Sequence, residues 1–553
     1  MNTPNLNNNI EKVYSLSPLQ EGMLFHQMLN EKSGNYVVQT SLKIKGDFSV
    51  DVANESIQLL ARKHEALRTM IPLNRFRKPV QIVLRDRLID FEELDFQEYS
   101  SEEQEAEIEK FLEQDSKRGF DFEKASNFRV AIIRLSQDEW MMIWSFHHII
   151  IDGWCLPILF ENYLNFYFAL KKGESKESII SAIKNTRNLK TSYGDYIKWL
   201  QRKDKEEDYK YWDELLHGYD TDAKIQSLGN EEISDKTVLE YSIPFTESEY
   251  HTIREKMASY NVTVSTLIET AWGLLLQSYS GSNDVVYGKV VSGRDIMLPG
   301  IEETVGLFIN TIPSRVQVNS DITCLELLLK MQNQGTNSLD YQHCSLADIQ
   351  SRSLNKSLIN SVYAFENFVT KEGILSEQEG LSFEIIKARE QTNYPLTLRV
   401  NQLKTLQLDM LYNPSLFSEY DIKRILLQLK KTSLQLALHP DKLVDSINII
   451  TDEEKAIITG IFNDLERNYD EVNIKEIFEE IADKLPNKTA LVFEDKEMTY
   501  GELNKKSNEL AHKLIEVGVK KEEPVVILGE RSLELVIGIV GVLKAGASYV
   551  PID

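Results

Sequence analysis

Apolar and polar positions change rhythm several times along this chain. "YVVQTSLKIKGDF" alternates with a period of two and stops at Gly46 and Asp47, which reads as a strand and its turn. "FRVAIIRLSQDEWMMIWSFHH" reads as two strands joined by a polar turn at 136–139, the second apolar on both faces as a strand inside a sheet must be. A helical period governs "SPLQEGMLFHQMLNE", where Ser17 and Pro18 supply a helix start, and also "DVANESIQLLARKHEALRT" and "WCLPILFENYLNFYFAL". "KKGESKESIISAIKNTRNLK" is polar and interrupts the apolar pattern, so it is read as the linker between two lobes. Beyond it "SYGDYIKWLQRKDKEEDYKYWDELL" is helical, and strands and helices alternate again through "TVLEYSIPF", "VSTLIETAWGLLLQSYS" and "DVVYGKVVSGR". These elements predict an α/β protein with one lobe over 13–180, a second over 181–450 and a linker over 451–472. The region 473–553 then runs helix, strand, short turn, helix, a buried strand "PVVILGE" and an apolar helix, like the opening of a further α/β domain.

Composition changes this picture little. With 553 residues, 42% hydrophobic and 27% charged, the chain is globular and long enough for several cores. A formal charge of −24 argues against nucleic-acid partners, which are bound through Lys and Arg. The opening "MNTPNLNNNIEKV" has no signal-peptide pattern, and the apolar run "LVIGIVGVL" is far shorter than the roughly 20 residues of a membrane span. Cys155, Cys324 and Cys344 are odd in number and widely spaced, which provides neither a disulfide framework nor a C-x-x-C site. The expected setting is soluble, reducing and cytoplasmic, with no membrane partner.

Candidate chemistry concentrates in "HHIIIDG", where two of only nine histidines stand together at the end of the apolar strand. Successive strand side chains point to opposite faces, so one ring packs and the other faces a cleft. Histidine titrates near neutrality and suits proton management there. Asp152 either orients His148 or serves as a structural anion holding the loop, and its separation by three apolar residues favours the anion. A buried aspartate needs a counter-charge, and Arg294 in "VVSGRD" is the candidate. Zinc spacing lacks a third ligand, and no G-x-S-x-G, phosphate-loop or dinucleotide fingerprint occurs in the first 450 residues.

"SPLQEGMLFH", "RKHEALRT", "HHIIIDGW", "YGDYIKW", "SGRD", "VGLFINTIPSRV", "YAFENF" and "TNYPLTL" follow one another in the order found in condensation domains of nonribosomal peptide synthetases. The resemblance spans residues 10–450. "MTYGEL" and "LKAGASYVPID" resemble the start of an amino-acid adenylation domain, without that family's phosphate loop and catalytic lysine. The resemblance implies two chloramphenicol-acetyltransferase-like lobes in a V-shaped pseudo-dimer, followed by an adenylation fragment that activates nothing by itself.

It further implies that upstream (donor) and downstream (acceptor) peptidyl carrier domains present aminoacyl or peptidyl thioesters on phosphopantetheine arms, and that the acceptor amine attacks the donor thioester to form a peptide bond. No tightly bound cofactor is implied; ATP and Mg²⁺ belong only to a complete adenylation domain. Carried over by position, His148 is the catalytic histidine and Gly153 keeps the backbone close to the thioester, while His147 and Asp152 are structural; Arg294 and Arg68 are read from their charge as ion-pair residues with a structural role at the site. His26, Trp154, Asn310 and Thr311 are placed along the cleft, with a packing role open for each, and Trp199 is read as core. "FHHIIIDGWC", including Cys155, is close to the "FHHILMDGWC" of relatives that accept a D-configured donor, and the start near Met1 fits a subunit receiving its donor from another polypeptide. Residues 1–12 are a polar tail with a possible docking role, and a monomeric module is expected. Epimerisation and a non-catalytic carrier-binding platform are the alternatives.

Overall fold

The computed structural model describes the chain except residues 1–8, 30–35, 74–77, 124–125, 188–190, 227–237, 355–356, 367–377, 391–393, 403–404, 464–470 and 553, and a few side chains including that of His26. It divides into two compact units, Met1–Glu454 and Lys455–Asp553. No helix among the described residues is long and apolar enough to cross a membrane.

In the first unit, the N-terminal lobe is built on a five-stranded sheet ordered Leu381–Glu390, Val37–Gly46, Glu139–His147, Phe128–Arg134, Asp90–Asp95, antiparallel except for the last pair. Alternation along Glu139–His147 explains its burial. Trp140, Met142, Trp144 and Phe146 enter the main core with helix Cys155–Lys171, whereas Met141 and Ile143 pack on the other face with Leu112 of helix Ser101–Arg118. His147 keeps the parity of Met141 and Ile143. It also pairs in register with Val37, so the strand ends beside the start of its neighbour.

The C-terminal lobe is a six-stranded mixed sheet ordered Asn310–Gln317, Asp284–Val291, Ser361–Glu366, Leu396–Gln402, Leu406–Tyr412, Leu239–Pro244. Helices Glu247–Tyr260, Val264–Ser280 and Glu419–Leu438 contribute to the core on one face, and Lys205–Leu215 with Leu346–Arg352 to the core on the other.

Two features depart from the sequence reading. The stretch read as a linker contains helix Lys176–Arg187, and its Ile179 and Ile183 are buried in the N-terminal core. That apolar stripe is too narrow to stand out among polar neighbours, and the boundary at 180/181 falls inside the helix. The lobes are also not consecutive in sequence. Strand Leu381–Glu390 returns to pair with Val37–Gly46, and Ile301, Val305, Leu307 and Phe308 belong to the N-terminal core although Asn310–Gln317 belongs to the C-terminal sheet. Gly293 makes part of this crossing possible: at φ +64° its backbone lies so close that a Cβ would sit 1.9 Å from the Phe308 carbonyl oxygen.

The second unit holds helices Ile474–Lys484, Tyr500–Glu516 and Leu533–Lys544, a hairpin Thr489–Phe493/Lys496–Thr499 and a parallel pair Pro524–Leu528/Ser548–Ile552. "MTYGEL" has a local rationale, since Thr499 and Glu502 form a reciprocal capping box at a helix start. The strand expected to be buried is not: Val526 is 57% and Leu528 76% exposed, and among the described residues the strand pairs with Ser548–Ile552 alone.

Candidate active site

The site is assembled where strand Glu139–His147 stops and helix Cys155–Lys171 begins. The His147 ring is buried against Phe122 in a T-shaped contact at 4.8 Å, with Phe120 and Tyr36 further around it. Its Nδ1 accepts the Ile149 N–H at 3.0 Å, which places the hydrogen of the neutral ring on Nε2, and that nitrogen has no hydrogen-bond partner among the described residues. His147 therefore anchors backbone. The neighbouring His148 donates its own amide to the Tyr36 carbonyl at 2.9 Å, and its Nδ1 lies 3.1 Å from the Ile151 carbonyl oxygen. A carbonyl can only accept, so Nδ1 carries the hydrogen and Nε2 the lone pair.

Asp152 is fully buried and paired with Arg294, whose Nη2 lies 3.0 Å from Oδ1. Oδ2 of Asp152 also accepts the Phe308 N–H at 2.8 Å. Arg294 donates through Nη1 to the Ile301 and Thr304 carbonyls, each at 2.9 Å, and covers the Phe308 ring at 4.2 Å. Burial opposes its charge, but the adjacent Asp152 and Cys155 hold its pKa above the ordinary value. One aspartate thus holds the histidine loop to two segments, 294 and 301–308, that arrive from more than a hundred residues downstream.

Cys155 joins the same knot, its Sγ 3.1 Å from the Gly306 carbonyl oxygen and 3.3 Å from Arg294 Nη2. Burial, and then the charge of Asp152, push its thiol up to about 12. It remains a thiol at neutral pH, a packing and hydrogen-bonding group with no nucleophilic character. Composition and spacing assign Cys155 nothing beyond the absence of a disulfide.

The remaining predicted residues separate. Arg68 is fully buried, paired with Glu11 at 2.8 Å and donating to the Ala61 carbonyl at 2.7 Å, which ties strand Ile10–Ser15 to helix Val50–Lys63. Asn310, placed along the cleft, instead spends its Nδ2 on the Gln342 and Cys344 carbonyls, both at 2.7 Å, and so fixes a loop of the C-terminal lobe. The neighbouring Thr311 sets its methyl over Gly288, where a Cβ would meet it at 2.9 Å. Trp154 and Trp199 are half-buried, unlike full core residues, and Trp199 stacks on Tyr196 and meets the His343 ring edge-on. Gly153 occupies the turn into helix Cys155–Lys171 and accepts the Leu156 N–H. The His26 side chain lies outside the described residues.

His147 makes a prediction of its own. Burial, with a smaller contribution from His148, pushes its pKa down to about 3 from 6.5. As pH falls through about 6.5 the unfolded chain takes up a proton that the folded one refuses, so stability rises with pH across this window and is lost on acidification. The loss from this group is about 1.4 kcal/mol per pH unit, roughly 2 kcal/mol at pH 5 relative to pH 7. His147→Asn keeps an acceptor for the Ile149 N–H without a titrating ring; urea unfolding at pH 7 and pH 5 should show its acid sensitivity smaller by about that amount.

Asp152 and Arg294 thus form a buried ionic knot that holds the histidine loop to the segments crossing from the C-terminal lobe. The condensation-domain model matches residues 10–459 and the AMP-binding-enzyme model residues 478–553. The chain is 34% identical to bacitracin synthase 3 of Bacillus licheniformis over 98% of its length and 8% of that protein. It is 33% identical to surfactin synthase subunit 3 of Bacillus subtilis (strain 168) over 98% of its length and 42% of that protein. Among solved structures, holo-AB3403, a four-domain nonribosomal peptide synthetase bound to AMP and glycine, matches with TM-score 0.71 at 18% identity, covering 98% of this chain and 42% of that one. The first condensation domain of the calcium-dependent antibiotic synthetase in complex with a substrate analogue matches with TM-score 0.63 at 15% identity, covering 80% of this chain and all of that one. The chain belongs to the condensation-domain family of nonribosomal peptide synthetases, a family of amide-forming acyltransferases, and carries a short AMP-binding segment after it. It spans 8% of the length of bacitracin synthase 3 and less than half that of surfactin synthase subunit 3.

Proposed function

We propose that this chain forms a peptide bond between two carrier-bound substrates, with His148 at the reacting atoms. The observation that carries the reading is the Nδ1···O contact of His148 with Ile151 at 3.1 Å, which holds the ring with its hydrogen on Nδ1 and its basic lone pair on Nε2. The acceptor α-amino nitrogen attacks the donor thioester carbonyl, the carbon–sulfur bond breaks, and the donor phosphopantetheine leaves as the thiol. The amine proton passes through Nε2 to the departing sulfur. An α-amino group titrates near 8, so about a tenth is already neutral at pH 7 and a strong base is unnecessary. Positioning of the amine and acceptance of its proton as the tetrahedral intermediate forms are then the tasks left to the ring.

The donor is read as D-configured and the acceptor as L-configured. The support is "FHHIIIDGWC", in which Cys155 is part of the knot that sets the loop. His147, Asp152, Arg294 and Arg68 hold backbone, and Gly153 leaves room beside the reacting thioester. The phosphopantetheine arms belong to the carriers.

Carrier domains loaded with D- or L-phenylalanyl phosphopantetheine as donors, and with a panel of L-aminoacyl thioesters as acceptors, test the reaction by intact-mass spectrometry. Dipeptidyl thioester from the D-donor alone establishes reaction and subtype. Product from the L-donor alone removes the subtype. No product from either, with carriers competent in another synthetase, removes the reaction.

A further inference from the structure

The polar residues that hold the histidine loop from the ionic side are anticipated by their charge. On the opposite side two uncharged side chains do comparable work. Gln20 and Gln81 are each 1% exposed, one in helix Pro18–Leu29 and the other in strand Val80–Leu84. Nε2 of Gln20 donates to the Ile149 carbonyl at 2.7 Å. Its Oε1 accepts both the Ser17 N–H at 2.9 Å and Gln81 Nε2 at 2.9 Å, and Gln81 Nε2 also donates to the Ser15 carbonyl at 2.9 Å.

Two donors on Oε1 fix which end of the Gln20 amide faces the loop. The backbone of Ile149 is consequently held on both sides of its Cα, the N–H by His147 Nδ1 and the C=O by Gln20. Ile149 directly follows His148, and the carbonyl that sets the His148 tautomer is two residues further on. A rotation of the 149–150 peptide, whose carbonyl Gln20 holds, would carry both away from their present geometry.

We infer that Gln20, oriented by Gln81 and Ser17, is a positioning residue for His148, acting through the Ile149 carbonyl. The inference rests on the reaction proposed above for its kinetic consequence, and on the hydrogen bonds alone for its structural one.

Gln20→Glu and Gln20→Leu separate positioning from packing. In the glutamate variant one oxygen still accepts from Ser17 and Gln81, and the other replaces Nε2. Ionised, it sets a negative charge against the Ile149 carbonyl and against Gln81 Oε1, to which Gln20 Nε2 also donates at 3.3 Å; protonated, its single O–H restores the shorter bond, to Ile149. Burial favours the protonated form, so falling pH restores the bond. His147 stays neutral throughout pH 6–8 and adds no charge beside it. With the D-phenylalanyl donor carrier, single-turnover dipeptide formation should drop at least tenfold in both variants at pH 8. The ratio of Gln20→Glu to wild type should climb at least fivefold between pH 8 and pH 6, and that of Gln20→Leu should stay flat. Flat ratios in both, or wild-type rates in Gln20→Leu, overturn the inference.

The ¹⁵N spectrum of histidine-labelled protein, with His148 assigned from His148→Ala, gives a second reading that needs no turnover. Wild type should show the His148 hydrogen on Nδ1, and Gln20→Leu a mixture of tautomers. If wild type makes no dipeptide the reaction assignment fails, and this comparison alone decides: an unchanged tautomer in a folded Gln20→Leu overturns the inference.

Discussion

Replacing Arg294 by methionine should lower the unfolding free energy of the first unit by roughly 3–5 kcal/mol, because a fully buried carboxylate is left without its counter-charge. Among the described residues Asp152 would retain the Phe308 N–H and the Cys155 thiol as partners, neither carrying charge. Asp152→Asn should cost less, about 1–3 kcal/mol, since an amide still accepts from Phe308 and Arg294 keeps two carbonyls and an aromatic face. The double variant should be less destabilised than the sum of the two, the signature of a coupled pair. All six tryptophans lie between residues 140 and 272, within the first unit, so tryptophan fluorescence in urea follows that unit directly. Additive effects, or an Arg294→Met cost below about 1 kcal/mol, would show that other groups hold the crossing segments.

His148→Ala should reduce dipeptide formation by about 10²–10⁴-fold while lowering the unfolding free energy of the first unit by only about 1–2 kcal/mol, read from urea unfolding. The side chain makes a local hydrogen bond to Ile151 and an edge contact with Phe146, and neither belongs to the knot around Asp152, which its removal leaves intact. His148→Gln sharpens the result. Glutamine can accept a hydrogen bond from the amine but cannot take its proton; equal losses in both variants assign proton transfer to the ring, and a tenfold recovery in glutamine assigns orientation. A loss under tenfold in His148→Ala would remove His148 from the chemistry.

Much of this site is legible in the sequence because its requirements are local. A strand apolar on both faces ending in paired histidines predicts at least one packed ring, and His147 packs among aromatic rings while the His148 tautomer is set by its own loop. Electrostatics extends the reach: a buried aspartate demands a cation, and the candidate offered for it, Arg294 of "VVSGRD", is the one that meets it. Neutral partners give no such signal. Gln20 reads from sequence as the third residue of a helix start, and the chain does contain that capping exchange with Ser17, yet its second bond to Ile149 spans 129 residues. Asn310 gives no signal of its partners for a related reason, since a buried amide can satisfy itself on any backbone carbonyl and here takes two in its own lobe.

By itself the sequence determined most of the elements and their turns, and that paired histidines close a buried strand at 147–148, because side-chain period and capping depend on residues only a few positions apart. It also determined the family, through motifs in fixed order. Tertiary structure alone decided that strand Leu381–Glu390 and residues 301–308 return to the N-terminal lobe, that residues 176–187 are a packed helix, and that Cys155 and Gln20 hold the loop. Most of these contacts close loops of a hundred residues or more, and what stabilises them is burial and hydrogen bonding by ordinary neutral groups, whose partners no local pattern specifies.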